Sequence, residues 1–132
     1  MKKLKVPYLV TLDVLDLSSA GYLLESKAHR EYIDVINWEK YSYKPIVAFD
    51  IARSDAFLYI RYFVKGNSLK ALHGVDGSPV YTDSCVEFFM KTVEDHNYMN
   101  FEFNCIGTCD AARRQSREIK RSLTSDEYAS IR

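Results

Sequence analysis

At 132 residues, with 47% hydrophobic and 14% aromatic side chains, the chain is long enough for one domain with a real core and little to spare. Its 18 basic residues balance 18 acidic ones, which disfavours a duplex nucleic-acid binder, and no stretch reaches the length of a membrane span. Ten tyrosines and seven phenylalanines suit a pleated, half-buried surface and point to β structure.

Met1 to Pro7 is positively charged but has no apolar run behind it, and Asp13 and Asp16 arrive too early for a signal peptide. No export signal is visible, which leaves the location open: cytoplasmic as given, periplasmic or extracellular if a leader has been removed. Val6 to Val14 reads as an opening strand. Ser18 and Ser19 are N-cap candidates for a helix to about Lys27, with Leu23 and Leu24 facing inward and Gly21 weakening it. Tyr32 to Trp38 alternates as a second strand. Lys44-Pro45 breaks the pattern before a third strand, Ile46 to Ile51. Arg53 to Ala56 is a turn, and Phe57 to Val64 is a fourth strand, whose dense apolar character predicts a central place. Gly66 to Thr82, rich in Gly, Ser and Asp, reads as a long surface excursion with a short strand near Ser68 to Leu72.

The strongest pattern is a hairpin. Val86, Phe88 and Met90 share one side of the run from Asp83 to Met90, and Phe101, Phe103 and Cys105 share one side of the run from Tyr98 to Cys105. Superimposing these faces closes the turn near Glu94 to Asn97. It groups Cys85, Glu87, Phe89, Asn100, Glu102 and Asn104 on the other side, which the pattern turns towards water. Gly107-Thr108 then turns the chain, and Thr124 to Glu127 has capping-box spacing for a final helix. Arg113, Arg114, Arg117, Lys120 and Arg121 crowd into nine positions, either as a solvated loop or helix face or as a site for an anion. Three cysteines leave one thiol over. The register argues against a Cys85–Cys105 bridge, while Cys105 and Cys109 can meet around Gly107.

With no repeats or linkers, the expectation is a single domain over residues 1–132. Its class is mostly β, an antiparallel β-sandwich (jelly-roll-like) with one or two short helices.

Ile36-Asn37-Trp38, Tyr43-Lys44-Pro45 and Phe49-Asp50-Ile51-Ala52 resemble the start of family 9-like carbohydrate-binding modules, which are widespread in bacteria. Val80 to Phe89 is similar to that family's most recognisable block, and Tyr98 to Thr108 to the block that follows. The resemblance covers Asn37 to Thr108 best. It implies a β-sandwich that binds sugars on an outer face or loops, often beside glycoside hydrolases, with calcium bound in some relatives. Such modules continue for several strands beyond the position of Ile131-Arg132, which predicts a fold truncated at its C-terminal end.

Sugar binding needs an aromatic plate and carboxylates or amides for hydroxyls. Trp38, the sole tryptophan, and Tyr81 are the plates, although a lone Trp at a strand end is also a natural core anchor. Asp83, Glu87, Glu102 and Asn104, with an arginine such as Arg113, are the polar candidates. Their alternative is the solvated side of a sheet. Glu87 and Glu102 lie diagonally across the hairpin, a costly arrangement unless a cation or one of Arg53, Arg61 and Arg113 sits between them. Calcium would draw on Asp76, Asp83 and Glu87; no other cofactor is expected. Two readings compete. Glu87 and Glu102 on adjacent strands meet the closer spacing of a glycoside-hydrolase pair, and Cys85 with His73 or His96 is a weaker catalytic dyad. Alternatively, a sandwich with uncovered strand edges pairs with a second copy or an attached domain.

Overall fold

The computed structural model describes residues 3–131. Met1 and Lys2, which open the positively charged start, and Arg132 lie outside the described residues. The chain divides between Asn67 and Ser68 into two compact units. Strands dominate, arranged as two antiparallel sheets with few short helices, the sandwich-type class that the alternation predicts.

In the first unit, β1 (His29–Tyr32), β2 (Ile46–Arg53) and β3 (Leu58–Lys65) form a sheet in the order β1-β2-β3. The centre is β2, not the more apolar β3, which is an edge strand. The reason lies in β2's burial: Ala48, Asp50, Ile51 and Ala52 are all buried, whereas β3 is half-buried at best. Helix α1 (Leu17–Lys27) lays Ala20 and Leu24 against Leu12 and Ala52, with Leu23 and Tyr59 at the margin. Its cap is Asp16, two positions before Ser18, and its carboxylate accepts from Ser19 N at 2.9 Å.

The expected opening strand is absent. Tyr8 makes one bridge to Arg53, and Val10–Val14 then winds into a 3-10 turn that buries Leu12 completely and aims Asp13 at the Tyr59 hydroxyl (2.6 Å). The second strand comes earlier than expected. Arg30 fixes β1 by pairing bidentately with Asp50, and residues 33–45 run without regular structure.

In the second unit, β4 (Cys85–Met90), β5 (Tyr98–Asn104), β6 (Cys109–Arg114) and β7 (Lys120–Ser122) are hydrogen-bonded in that order. The hairpin keeps the expected faces but is shifted by two residues from the expected register: Val86 faces Phe103, Phe88 faces Phe101 and Glu87 faces Glu102. The basic run is neither loop nor helix but the β6–β7 hairpin. The excursion after Asn67 has no strand, only a 3-10 turn over Val80–Thr82. Helix α2 (Ser125–Ala129) opens with the expected capping box between Thr124 and Glu127.

Candidate functional site

Two surfaces carry the candidate residues, one in each unit. The first is the segment from Ile33 to Pro45. Its ends are tied down: Ile33 N donates to Val47 O (3.0 Å), and the Tyr43 hydroxyl accepts from Asn67 N (2.9 Å). Gly66 permits that approach, because a Cβ there would lie 2.3 Å from the Tyr43 oxygen. Between these anchors a turn is closed by Tyr41 N to Trp38 O (2.9 Å), and Trp38 stands 70% exposed on it. It is no core anchor. Tyr41 and Tyr43 flank it in sequence and are also exposed. Next to this segment a shallow apolar depression is bounded by Tyr32, Ile33, Pro45 and Val47.

The second surface belongs to the four-stranded sheet and the excursion that crosses it. Asp83 accepts from the backbone N–H of Leu72 (3.0 Å) and His73 (3.1 Å) and from Asn104 Nδ2 (3.0 Å). Partial burial pushes this carboxyl up, but the three donors outweigh it and hold it below the usual carboxylate range. Asn104 is fully engaged: Nδ2 also reaches His73 O, and Oδ1 accepts from Ile106 N and Thr108 N. These two residues brace the excursion, and Tyr81, in the 3-10 turn near its end, stands 64% exposed. Asp76 caps Cys109 N (2.9 Å). The supposed calcium donors Asp76 and Asp83 therefore serve backbone amides, and no three acidic, His or Cys side chains converge on a metal position among the described residues.

The polar face of the hairpin holds the expected residues but departs from expectation in register and in exposure. Glu87 and Glu102 are directly opposite rather than diagonal. Glu87 is exposed, but Glu102, Asn100 and Asn104 are buried, while Phe88, Phe101 and Phe103 are only half-buried. Arg113 is exposed and lies on the other side of the sheet, opposite Arg121. The arginine on the acidic face is Arg114, whose Nε donates to Asn100 Oδ1 at 2.6 Å. Arg53 and Arg61 belong to the first unit, where Arg53 stacks on Tyr8 and Arg61 donates to Gly21 O. Parity in β6 decides between 113 and 114, and without a recognised strand there the sequence offered no parity to read.

Catalytic readings find little support. The Glu102 carboxyl is out of solvent's reach, so it cannot flank a glycosidic bond with Glu87. The Cys85 thiol is pushed up to about 12, by burial first and by Glu87 and Glu102 next, far from the thiolate a nucleophile needs. The His73 ring meets Thr82 Oγ1 at 3.1 Å, not a cysteine. All three cysteines are free; Cys105, expected inward, is exposed just past the end of β5, and Cys109 is buried. No helix among the described residues is long and apolar enough to cross a membrane.

Against known proteins, the family model described as carbohydrate-binding family 9 matches residues 18–131, across both units. A proposed carbohydrate-binding protein from Bacteroides uniformis, solved by crystallography, is 30% identical to this chain with a TM-score of 0.84. The match covers 93% of this chain and 57% of that one, so the chain spans little more than half the length of its neighbour. No curated protein matches. Two antiparallel sheets, an exposed tryptophan turn and a family match over nearly the whole sequence converge: the chain belongs to carbohydrate-binding family 9 and is a carbohydrate-binding module.

Proposed function

We propose that the module holds an oligosaccharide or a polysaccharide strand without cleaving it, and that Trp38 is its principal contact. The observation that carries this reading is the placement of the only tryptophan, on a turn anchored at both ends and 70% exposed. A bare indole face costs apolar surface in water and recovers it by stacking on the C–H face of a sugar ring. Tyr81 offers a similar plate in the second unit, with Glu87 as an exposed hydroxyl acceptor and Arg113 as an exposed donor. Asp83 and Asn104 act behind the surface, as supports of the loop that carries Tyr81. An attached or neighbouring glycoside hydrolase is the natural beneficiary of such a contact.

The test is a titration of the 132-residue chain with oligosaccharides of α- and β-linked glucose and xylose, followed by Trp38 fluorescence and calorimetry. Trp38→Ala is expected to weaken binding at least about 10-fold, which is about 1.4 kcal/mol. It should leave stability within about 0.5 kcal/mol, as for other surface changes. EDTA should leave the response unchanged, and chromogenic glycosides should show no turnover. Unaltered sugar binding by Trp38→Ala would remove the stacking role, and a loss on Tyr81→Ala alone would move it to the second unit.

A further inference from the structure

Glu102 sits in β5, inside the four-stranded sheet. The register places Glu87 of β4 directly on one side of it and Asp110 of β6 directly on the other. Opposed residues project to the same face with Cβ atoms about 4.5–5.5 Å apart, so three carboxyl groups form one row across three strands. Glu102 is 7% exposed. Its Oε1 accepts from Asn100 Nδ2 at 2.8 Å, while Oε2 is buried and has no hydrogen-bond partner.

Positive charge on this face lies in a different row. Arg114 is two residues beyond Asn100's partner Ala112, and it donates to Asn100 Oδ1 and Arg117 O. Lys120 faces Arg114, not Glu102. On the other flank come Cys85, a neutral thiol, and Asn104, whose amide is fully engaged. The 3-10 turn packed near β5 contributes only the exposed Tyr81, and Asp83 just after it holds backbone amides. A charged Glu102 would thus be a buried carboxylate with one bare oxygen between two others, which is among the costliest arrangements a sheet can contain. As a neutral acid it becomes a hydrogen-bond donor towards neighbours that carry only acceptors.

We propose that the folded sheet holds Glu102 as the protonated acid, so that the Glu87–Glu102–Asp110 row keeps a proton on folding and gives it up on unfolding. The row is a proton-linked lock on the second unit. This proposal does not depend on sugar binding. Burial is the largest influence raising the Glu102 carboxyl, followed by Glu87 and then Asp110, with Arg114 and Lys120 opposing. Below the ordinary glutamate value of about 4.3, both folded and unfolded chains carry the proton and the stabilisation is complete. As pH rises from there through the folded midpoint, the unfolded chain releases its proton first, and the stabilisation is lost.

The experiment follows the Glu102 carboxyl carbon by NMR across a pH titration of the ¹³C-labelled chain, assigned through its own backbone connectivity. The expected midpoint lies above those of the exposed glutamates, and Glu87→Gln, a change at an exposed position, shifts it down. In parallel, the stability of Glu102→Gln relative to the parent chain should rise with pH. A Glu102 midpoint at or below the ordinary value, or one that Glu87→Gln leaves in place, overturns the proposal. A merely structural Glu102 would give a pH-independent stability difference, which overturns it equally.

Discussion

Each sheet sets a buried carboxyl on an interior strand between two charged cross-strand neighbours, Asp50 in the first and Glu102 in the second, and the two are treated in opposite ways. Asp50 in β2, 1% exposed, has Arg30 opposite it on one side and Arg61 on the other. Arg30 grips it with Nε at 2.6 Å and Nη2 at 2.8 Å. Glu102 in β5 has Glu87 and Asp110 in the corresponding places and a single amide as partner. The backbone problem is the same in both sheets; only the flanking side chains differ. A cross-strand triple of plus, minus, plus satisfies a buried charge, whereas three acids in a row are compatible with burial only if the middle one is neutral. The first sheet thus gains a charge-assisted clamp, and the second gains a dependence on protons.

The largest effect should come from breaking the satisfied triple. Arg30→Met keeps a long apolar side chain but removes the guanidinium that lies over the Phe63 ring and strands the Asp50 carboxylate. An unpaired carboxylate that is 1% exposed should lower stability by about 3 kcal/mol in urea unfolding. Arg61 cannot easily replace the lost partner, because it already donates to Gly21 O and Glu25. If Arg30→Met is as stable as the parent chain, the pair is not what makes Asp50 tolerable, and the contrast between the sheets fails.

The converse change copies the first sheet into the second. Glu87→Arg, at an exposed position directly opposite Glu102, supplies the missing positive neighbour. It should raise stability at pH 8 by about 1 kcal/mol, the scale of one net hydrogen bond, and flatten the loss of stability as pH rises above the ordinary glutamate range. A variant that stays as pH-sensitive as the parent would show that the row is not the source of that sensitivity.

Period-two alternation made the hairpin and its two faces legible, because a slip by one residue exchanges whole faces, but a shift by two keeps the faces and left the exact pairing of Glu87 with Glu102 unread. It could not say which face the rest of the molecule would cover. Val86, Phe88, Phe101 and Phe103 look like the core face by hydropathy, yet it is Asn100, Glu102 and Asn104 that are buried. Hydrogen bonds to residues far away in sequence, Asn104 to His73 and Asp83 and Arg114 to Asn100, make the burial of the two amides tolerable and leave no local trace. The apolar density of β3 suggested a centre, but β2 holds it: Ala48, Ile51 and Ala52 are buried there, and Arg30 of β1 pairs with its Asp50. In the same way, β6 and β7 were hidden by charge, since Cys-Asp-Ala-Ala-Arg-Arg carries no alternation. Trp38 and Tyr81 were identifiable as candidate plates, and only the structure distinguishes an exposed indole from a core anchor.

A third acid separates the effect of pairing from that of burial. Glu127 is gripped by Arg121 through two contacts of 2.8 and 2.9 Å, much as Asp50 is by Arg30, but it lies at the surface of α2. The Arg121 guanidinium, followed by the Thr124 backbone N–H, holds its carboxyl down at about 2. Its stabilisation is therefore present above the ordinary glutamate range and disappears as pH falls through about 2, the reverse of Glu102. Because water screens an exposed pair, Glu127→Gln should give the smallest change of the series, with a thermal midpoint near that of the parent at pH 7. Gln at this position can still close the capping box. If Glu127→Gln instead costs as much as Arg30→Met, pairing geometry alone sets the strength of these contacts, and burial loses the deciding role given to it in both sheets.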